Sequence, residues 1–376
     1  MNISEVFTVP LLKIYFVGFV FSALSCLAII RFAAKRTSRR NDLNAKQAMH
    51  TRHTPRIGGS GVFIGLSVIL LIIAWTPWQA KHYAMYVLSV MPLFVIGFLE
   101  DIGIPMSPLR RILSICASSV ITIAYWGVWV KGVGVPGLDA LFSITPVAIV
   151  ITVFMAAGVT NAFNLIDGLN GLAGITAVTT AFSILAIAQQ TGHFYVGISS
   201  VLFISLLLGF LLFNFPRGLI FLGDGGAYLI GHTLVWLAIG LTNDEPEVSA
   251  FAILLIFFWP ISDTIIAIWR RKLNRKRSVH ADRLHIHQLV LRYIEIRYLG
   301  KARRNIANPL ATVLMLPLII APQIAGVFFA TSNLMSGVAA VAFAIFFALI
   351  YRVGLWKASQ MSARKRPGET AGTKSA

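Results

Sequence analysis

The feature that most limits the fold of this chain is a series of long apolar runs along almost its whole length. A bilayer core about 30 Å thick is spanned by a helix of about 20 predominantly apolar residues. Such runs occur at eleven places, residues 10–30, 57–76, 83–100, 109–129, 143–163, 171–190, 194–213, 225–242, 249–269, 309–330 and 333–351. The sequence therefore predicts an all-α polytopic membrane protein with about eleven transmembrane helices.

Composition supports lipid as the solvent for most of this surface. Apolar residues make up 57% of the chain and charged residues only 12%, whereas soluble domains carry about 25% charged residues. A net charge of +18 would suggest nucleic-acid binding in a soluble protein. In a membrane protein, the placement of the cations in loops explains it better.

The lysines and arginines predict the orientation of the spans. If the N-terminus lies outside and the spans alternate, the inside segments are residues 31–56, 101–111, 214–224, 270–308 and 352–376. Of the 32 lysines and arginines, only Lys13, Lys81 and Lys131 then fall elsewhere. Because cytoplasmic loops carry the excess of such residues, we expect these segments, and an active site among them, on the cytoplasmic face.

The predicted domain organisation is simple. Residues 1–356 form a single transmembrane catalytic domain, within which residues 270–308 are a basic cytoplasmic loop. Residues 357–376 are rich in small and polar side chains and are expected to be a disordered cytoplasmic tail.

Carboxylate, amide and imidazole side chains gather near the same predicted face. They are Glu100, Asp101, Asn161, Asn164, Asp167, Asn170, Asn214, Asp224, Asp263, Asp282, His285 and His287. Ionisable groups at membrane depth are costly and are therefore candidate functional residues. Since the orientation rests on lysine and arginine alone, this convergence independently predicts a site.

Glu100 and Asp101 end the third apolar run as adjacent carboxylates. Such a pair is either solvated charge at a helix end or a ligand of Mg²⁺ or a proton, since Mg²⁺ often takes one or two carboxylates plus substrate phosphates. Asp101 would then act as a base, or as a positioning group that holds Mg²⁺ or a cation such as Arg110 or Arg111. We favour the positioning role.

Asn161, Asn164, Asp167 and Asn170 follow one another at three-residue spacing. Residues three apart share a face of a helix, so we expect a helical face that presents amides and a carboxylate to a polar ligand. The Asp-Gly and Asn-Gly pairs in the same segment are also typical of turns.

Two glycine-rich segments each open an apolar run. In residues 221–226, glycines let the backbone approach a phosphate and a helix N-terminus favours anions. Asp224 would repel phosphate there, so we expect it to bind a bridging metal ion rather than only cap the helix. In residues 56–61, close helix packing and phosphate approach are alternatives.

The basic loop at residues 270–308 contains Arg283, His285 and His287. A basic loop commonly anchors a protein to anionic lipid. The two histidines suit phosphate or sugar recognition better than zinc, because no cysteine or fixed third ligand accompanies them. Asp263 is interpreted either as a cap for a kinked helix or as a member of the site.

Five of these segments match one protein family in order. They are Pro55–Gly59, Glu100–Asp101, Asn161–Gly168, Phe221–Gly226 and Asp282–His287. Through them the chain, from about Thr54 to Gln288, resembles the polyprenyl-phosphate N-acetylhexosamine-1-phosphate transferases. This family includes the WecA-type enzymes, whose His-Ile-His segment this sequence shares, and the phospho-N-acetylmuramoyl-pentapeptide transferases.

The resemblance implies an activity and its partners. A sugar-1-phosphate, expected to be N-acetylhexosamine-1-phosphate, passes from a UDP-sugar to polyprenyl (undecaprenyl) phosphate, and UMP is released. The product would start a lipid-linked cell-surface glycan at the inner membrane of a bacterium. Mg²⁺ is the implied cofactor, for which Mn²⁺ can substitute. The expected partners are these substrates and membrane lipids, without nucleic acid; a homodimer is left open.

The resemblance also implies roles for single residues. Asp224 matches the metal-binding aspartate, and Glu100 and Asp101 match the pair near the lipid phosphate. Asn214 and Phe221 match residues that hold the uracil. The other matched positions are a catalytic aspartate and substrate-binding residues, namely Asp167, Asn164, Asn170, Arg283, His285 and His287.

Three positions depart from the commoner family pattern and leave the donor sugar open. Glu100 stands where aspartate is commoner, Asn170 also replaces an aspartate, and Gln288 replaces a further histidine. The phospho-N-acetylmuramoyl-pentapeptide transferase of peptidoglycan synthesis is therefore an alternative. So are a glycosyltransferase that releases UDP and, from another class, a transporter, although transporters place charges near the midplane and show internal repeats.

Overall fold

The computed structural model describes residues 6–33, 54–74, 77–273 and 285–363, and these residues form helices and connections without a β-strand. The helices are α1 (Val9–Ala28), α2 (Gly58–Ile73), α3 (Pro77–Asp101), α4 (Pro108–Trp126), α5 (Pro136–Phe142), α6 (Thr145–Ile166), α7 (Leu172–Thr191), α8 (Phe194–Asn214), α9 (Gly223–Asp244), α10 (Ala250–Ile256), α11 (Phe258–Leu273), α12 (Ile286–Ile294), α13 (Arg304–Phe328) and α14 (Asn333–Ala363). The prediction of an all-α protein is confirmed.

Each predicted span coincides with a helix or a pair of helices, but their number is smaller than predicted. Within the described residues, nine helices are long and apolar enough to cross a membrane. The pair α10 and α11 would make a tenth span, bent by 81°. The helix α2 is apolar but has only 16 residues, so eleven full-length spans are not confirmed.

The last helix also bears on the predicted tail. Because α14 continues to Ala363, it extends past residue 357, where the tail was expected to begin. The remainder of that predicted tail lies outside the described residues.

Helix α9 lies at the centre of the bundle, where it packs chiefly against α3 and α6. Its first turn approaches two neighbouring helices at glycines: a Cβ at Gly97 of α3 would overlap Gly225, and a Cβ at Gly59 of α2 would overlap Gly226. Small residues allow such close contact between helices. The glycines of residues 56–61 therefore serve close packing, and Gly59 brings α2 against the start of α9.

The outer helices show the opposite pattern. Large apolar side chains are exposed along α1 and α14, among them Phe16 at 66% and Val341 at 61%. Exposed apolar surface of this extent suits contact with lipid rather than with water. The chain is therefore a multi-pass membrane protein.

Candidate active site

Several helices end or begin at one end of the bundle, and their termini carry the predicted site residues. Helix α3 ends at Asp101, α6 ends at Ile166, and α9 begins at Gly223. Helix α4 begins beside them at Pro108. Ser107 caps this helix, since its hydroxyl accepts a hydrogen bond from the Arg110 main-chain nitrogen at 3.3 Å. We refer to this region as the site end of the bundle.

Asp101 fixes the first turn of α9. Its Oδ1 accepts a hydrogen bond from the Asp224 nitrogen at 2.8 Å, and its Oδ2 accepts one from the Gly225 nitrogen at 3.0 Å. A carboxylate satisfies free N–H groups and the positive end of the dipole at a helix N-terminus. Only 6% of Asp101 is exposed, so both oxygens of this buried carboxylate are engaged in holding the start of α9, which favours the predicted positioning role.

Gly223 allows this close arrangement. Its φ of +77° is accessible to glycine at little cost, and an added Cβ would overlap the Arg56 carbonyl oxygen. The same Cβ would lie 2.5 Å from the Asp101 Oδ2. The glycine before Asp224 therefore lets the Asp101 carboxylate and the chain at Arg56 close on the start of α9.

The Asp224 carboxylate points away from its own main chain, towards other side chains. Its Oδ1 accepts a hydrogen bond from the Asn164 Nδ2 at 3.0 Å, and its Oδ2 lies 3.9 Å from the Arg111 Nη1. Its side chain is partly accessible, with 15% exposed. Asp224 is thus a held but reachable carboxylate, as the metal-binding prediction requires.

Glu100 is paired with a cation. Its Oε2 lies 3.1 Å from the Arg111 Nε, and the two side chains are 18% and 29% exposed. Arg111 also donates from Nη2 to the Met106 carbonyl at 3.3 Å. The arginine therefore lies between Glu100 and Asp224, whereas Asp101, for which a cation was proposed, bonds to the start of α9.

Asp167 lies in the turn between α6 and α7. Burial raises the pKa of Asp167 to about 7, with the nearby Arg56 opposing the rise and Asp224 adding to it. The Gly223 N–H also donates to this carboxyl. Because α6 ends at Ile166, the predicted helical face is wrong for Asp167 and Asn170, since the turn chemistry of the Asp-Gly pair prevails.

Asn170 and Asn214 stabilise the turns around the site. The Asn214 Oδ1 accepts from the Gly171 nitrogen at 2.7 Å, and its Nδ2 donates to the Ile220 carbonyl at 2.7 Å. The Asn170 Nδ2 donates to the Pro216 carbonyl at 2.9 Å. Both residues are buried. Their amides therefore serve the shape of the site, while substrate binding by either one stays a prediction.

Phe221 is held by its main chain and has a partly accessible ring. Its nitrogen donates to the Pro55 carbonyl at 2.9 Å, and its carbonyl accepts from the Gly58 nitrogen at 2.8 Å. The segment before α2 thus fixes Phe221 three residues before Asp224. Stacking of this ring on the uracil stays a prediction.

The two described histidines of the His-Ile-His segment lie at the start of α12. Their rings stack with centroids 5.5 Å apart, and a Cβ at Gly168 would lie 2.6 Å from the His287 Nε2. His287 therefore contacts the turn that carries Asp167. Burial lowers the pKa of His287 to about 4, so its ring is neutral near pH 7. Arg283 and Asp282 lie outside the described residues.

The donor set fits Mg²⁺ only in part. Within the described ranges, no group of three or more histidines, cysteines or acidic residues is arranged to hold a metal by itself. Asp224 and Asp167 offer oxygen ligands near two arginines. This suits an ion that takes one or two carboxylates and completes its shell with water and substrate phosphates.

Comparison with known proteins bears on the family. A sequence model described as "Glycosyl transferase family 4" matches residues 83–242, which contain the carboxylates at Glu100, Asp101, Asp167 and Asp224. A protein of Bacillus subtilis (strain 168), named "Probable undecaprenyl-phosphate N-acetylglucosaminyl 1-phosphate transferase", is 29% identical over 282 residues, or 74% of this chain and 77% of the relative. The family predicted from the motifs is confirmed.

Other family relatives carry two kinds of name. An "Undecaprenyl-phosphate alpha-N-acetylglucosaminyl 1-phosphate transferase" of Yersinia pestis is 27% identical and covers 69% of this chain and 73% of its own length. A "Phospho-N-acetylmuramoyl-pentapeptide-transferase" of Clostridium botulinum (strain Eklund 17B / Type B) is 28% identical, and the match covers 76% of this chain and 90% of the relative. Both kinds transfer a phosphorylated sugar by name.

Sequence reasoning missed three features of this site. It did not pair Arg111 with Glu100, it gave Arg56 no role, and it did not pair Asp263 with His285. Arg111 pairs with Glu100 because the first turn of α4 lies opposite the end of α3. A pattern of apolar runs does not reveal how two helix ends face each other. The Asp263 contacts join residues far apart in sequence, so no local motif marks them.

Proposed function

We propose that this protein transfers N-acetylglucosamine-1-phosphate from a UDP-sugar to undecaprenyl phosphate. The observation that carries the proposal is the cluster of Asp224, Asp167 and Arg111 where helix ends meet at one end of an apolar bundle. Family membership and the relatives' names support the reaction type and the sugar. A site at a helix-bundle end suits an acceptor whose phosphate lies at the membrane surface and whose chain lies in lipid.

The reaction balances without a redox partner. An oxygen of the lipid phosphate attacks the sugar-bound phosphorus, forming a new phosphoanhydride, while the bond from that phosphorus to the UMP oxygen breaks. One anhydride replaces another, so the equilibrium constant should be near one and no net proton is required. Catalysis of phosphoryl transfer is chiefly positioning and neutralisation of charge.

The side chains divide these tasks. Asp224 and Asp167 would hold Mg²⁺, which when bound supplies positive charge to the phosphate oxygens. Arg111 is a second source of positive charge, since its partners Glu100 and Asp224 can exchange for substrate oxygens. Asp101 holds the first turn of α9 and thereby the position of Asp224. Phe221 provides a ring for the uracil.

We also propose that the site end faces the cytoplasm at the bacterial inner membrane, with the N-terminus outside. The support is the charge split in the sequence, because all lysines and arginines except Lys13, Lys81 and Lys131 fall in the predicted inside segments, which include Arg56 and Arg111 of the site. Cysteine labelling in intact cells tests this orientation: Lys131→Cys should react with an impermeant maleimide, and Arg217→Cys should not. The reverse pattern would overturn the orientation.

Purified protein in detergent tests the function. Undecaprenyl phosphate is incubated with each of UDP-N-acetylglucosamine, UDP-N-acetylgalactosamine and UDP-N-acetylmuramoyl-pentapeptide, and UMP and UDP are separated. We expect UMP release with UDP-N-acetylglucosamine, dependence on Mg²⁺, and loss of turnover in EDTA. UDP release would indicate direct glycosyl transfer, and preference for the pentapeptide substrate would indicate the peptidoglycan enzyme.

A further inference from the structure

Asp263 is a buried carboxylate that the proposed chemistry does not yet use. It lies in α11, beyond the 81° bend that separates α10 from α11, and only 2% of it is exposed. Burying a carboxylate is costly unless partners replace the water it loses. The partners of Asp263 therefore show what the residue is for.

Both carboxylate oxygens of Asp263 bond to the start of α12. Oδ2 lies 2.7 Å from the His285 Nδ1, and Oδ1 accepts a hydrogen bond from the Ile286 nitrogen at 3.3 Å. His285 is the residue before the first turn of α12 and offers no side-chain cap of its own. Asp263 thus caps α12 from a different helix, which corrects its interpretation as a cap for its own kinked helix.

The bond to His285 also orients that imidazole. A carboxylate beside Nδ1 keeps a proton on that nitrogen. The Nε2 atom is then a hydrogen-bond acceptor when the ring is neutral and a donor when the ring is charged. The His285 ring is only 5% exposed. Its geometry is therefore set by Asp263 and by the stacked ring of His287, rather than by solvent.

The contacts continue from His285 to the catalytic cluster. His287, which is 1% exposed, stacks on His285 and lies against Gly168, next to Asp167. A shift of the first turn of α12 would move His287 and leave space at this turn. Asp263 is therefore connected, through two packed rings, to the turn that carries Asp167.

We propose that Asp263 is a positioning residue for sugar-1-phosphate transfer. It holds the His285 ring and the first turn of α12 so that His287 supports the turn carrying Asp167. The inference rests on the proposed function, because the role of Asp263 is measured by the rate of sugar-1-phosphate transfer. It extends the site to α11 and, of the two interpretations that the sequence left open for Asp263, it selects membership of the site.

A double-mutant cycle tests this role. We expect Asp263→Asn to lower kcat by about 10- to 100-fold, the range typical for residues that orient a functional histidine, while the KM for the UDP-sugar changes less than threefold. In a His285→Ala background, Asp263→Asn should cost less than threefold further, because the two residues act as a unit. Full additivity of the two losses would overturn the proposal.

Asp244→Asn is the matched control. Asp244 forms the other carboxylate–imidazole pair of the described residues, 2.9 Å from the His193 Nε2, at the end of α9 remote from the site. Its loss should leave kcat and KM unchanged. An equal fall in kcat for this control would attribute the Asp263 effect to general destabilisation and would overturn the proposal.

Two further measurements separate positioning from folding and from failure of the function. Nitrogen-15 histidine NMR should show a protonated Nδ1 at His285 in the wild type and its loss in Asp263→Asn; an unchanged signal would contradict the bond. If Asp263→Asn does not fold, Asp263→Glu takes its place and should lower kcat at an unchanged Tm. A wild-type kcat in Asp263→Glu would contradict the positioning role of Asp263. Absence of UMP release by the wild type would refute the function itself, while the NMR outcome would still decide the Asp263 bond.

Discussion

The connection between α8 and α9 is held differently at its two ends. At the first end, the side-chain amide of Asn214 bonds to main-chain groups through both its oxygen and its nitrogen. At Asp224, side chains bond to other side chains, with Asn164 and Arg111 as partners. The first end is closed within the protein, whereas the second can exchange its partners for a substrate or a metal.

This difference divides the family motifs into two kinds of residue. Asn170, Asn214 and Asp101 stand at positions that match the family but are buried and bonded to main chain, so they shape the site. Asp224, Asp167 and Phe221 are partly accessible and are placed to act on a ligand. Substitutions should therefore damage the two groups in different ways, the first through geometry and the second through chemistry.

The largest expected effect is that of Asp224→Asn. Loss of a metal-binding carboxylate removes several kcal/mol of charge stabilisation, so turnover should fall by about 10³-fold or more. The Tm should change little, because the Asn side chain can keep the contact with Asn164 after an amide rotation. UMP release by the purified variant measures this, and activity within threefold of wild type would refute metal binding by Asp224.

Asp101→Asn should lower the rate by about 10²-fold, since displacing a catalytic group by about 1 Å has costs of that size. The amide retains only one acceptor oxygen for two N–H groups of α9. Because this loss is geometric, raising the pH cannot repair it. Rates measured from pH 6 to 9.5 test this point. If the defect relative to wild type shrank tenfold or more across that range, Asp101 would be the base that deprotonates the acceptor.

Phe221→Ala should weaken binding of the UDP-sugar by roughly 10- to 100-fold, because stacking of a base on an aromatic ring contributes about 1–3 kcal/mol. The main-chain bonds of residue 221 do not need the ring, so the Tm should hold. Titration of the donor onto purified variant measures the affinity. Unchanged affinity would remove Phe221 from the uracil site.

Asn214→Ala should show the opposite signature. It leaves the buried Gly171 N–H and Ile220 carbonyl without partners, which costs about 1–3 kcal/mol for each unsatisfied group. The Tm should fall while the KM of the surviving folded enzyme stays close to wild type. A raised KM at an unchanged Tm would instead support the predicted contact between Asn214 and the uracil.

Apolar periodicity predicted the membrane class and the position of each helix, because lipid requires long apolar helices. It could not predict the break between α10 and α11, nor that Gly58–Ile73 would be a short helix, since both depend on packing. The carboxylates were found because charge is rare in this chain. Their partners were not, because Asp101 bonds to Gly225 and Asp263 to His285 across long stretches of sequence.

The smallest expected effect concerns stability at Asp167. Its pKa of about 7 lies above the value of about 3.9 in an unfolded chain. Between these values the folded state binds more protons, so stability should fall as pH rises from about 4 through 7. Asp167→Asn cannot ionise and should escape that loss.

Thermal unfolding in detergent with EDTA measures this difference. At pH 4 the Tm of Asp167→Asn and wild type should agree closely, and at pH 8 the variant should be higher by a few degrees. Mg²⁺ at pH 8 should narrow the gap by stabilising only the wild type, if Asp167 helps to hold the ion. A gap equal at both pH values would mean that the Asp167 charge does not cause it. The carboxyl would then not be the group whose ionisation lowers the stability of the wild type between pH 4 and pH 8.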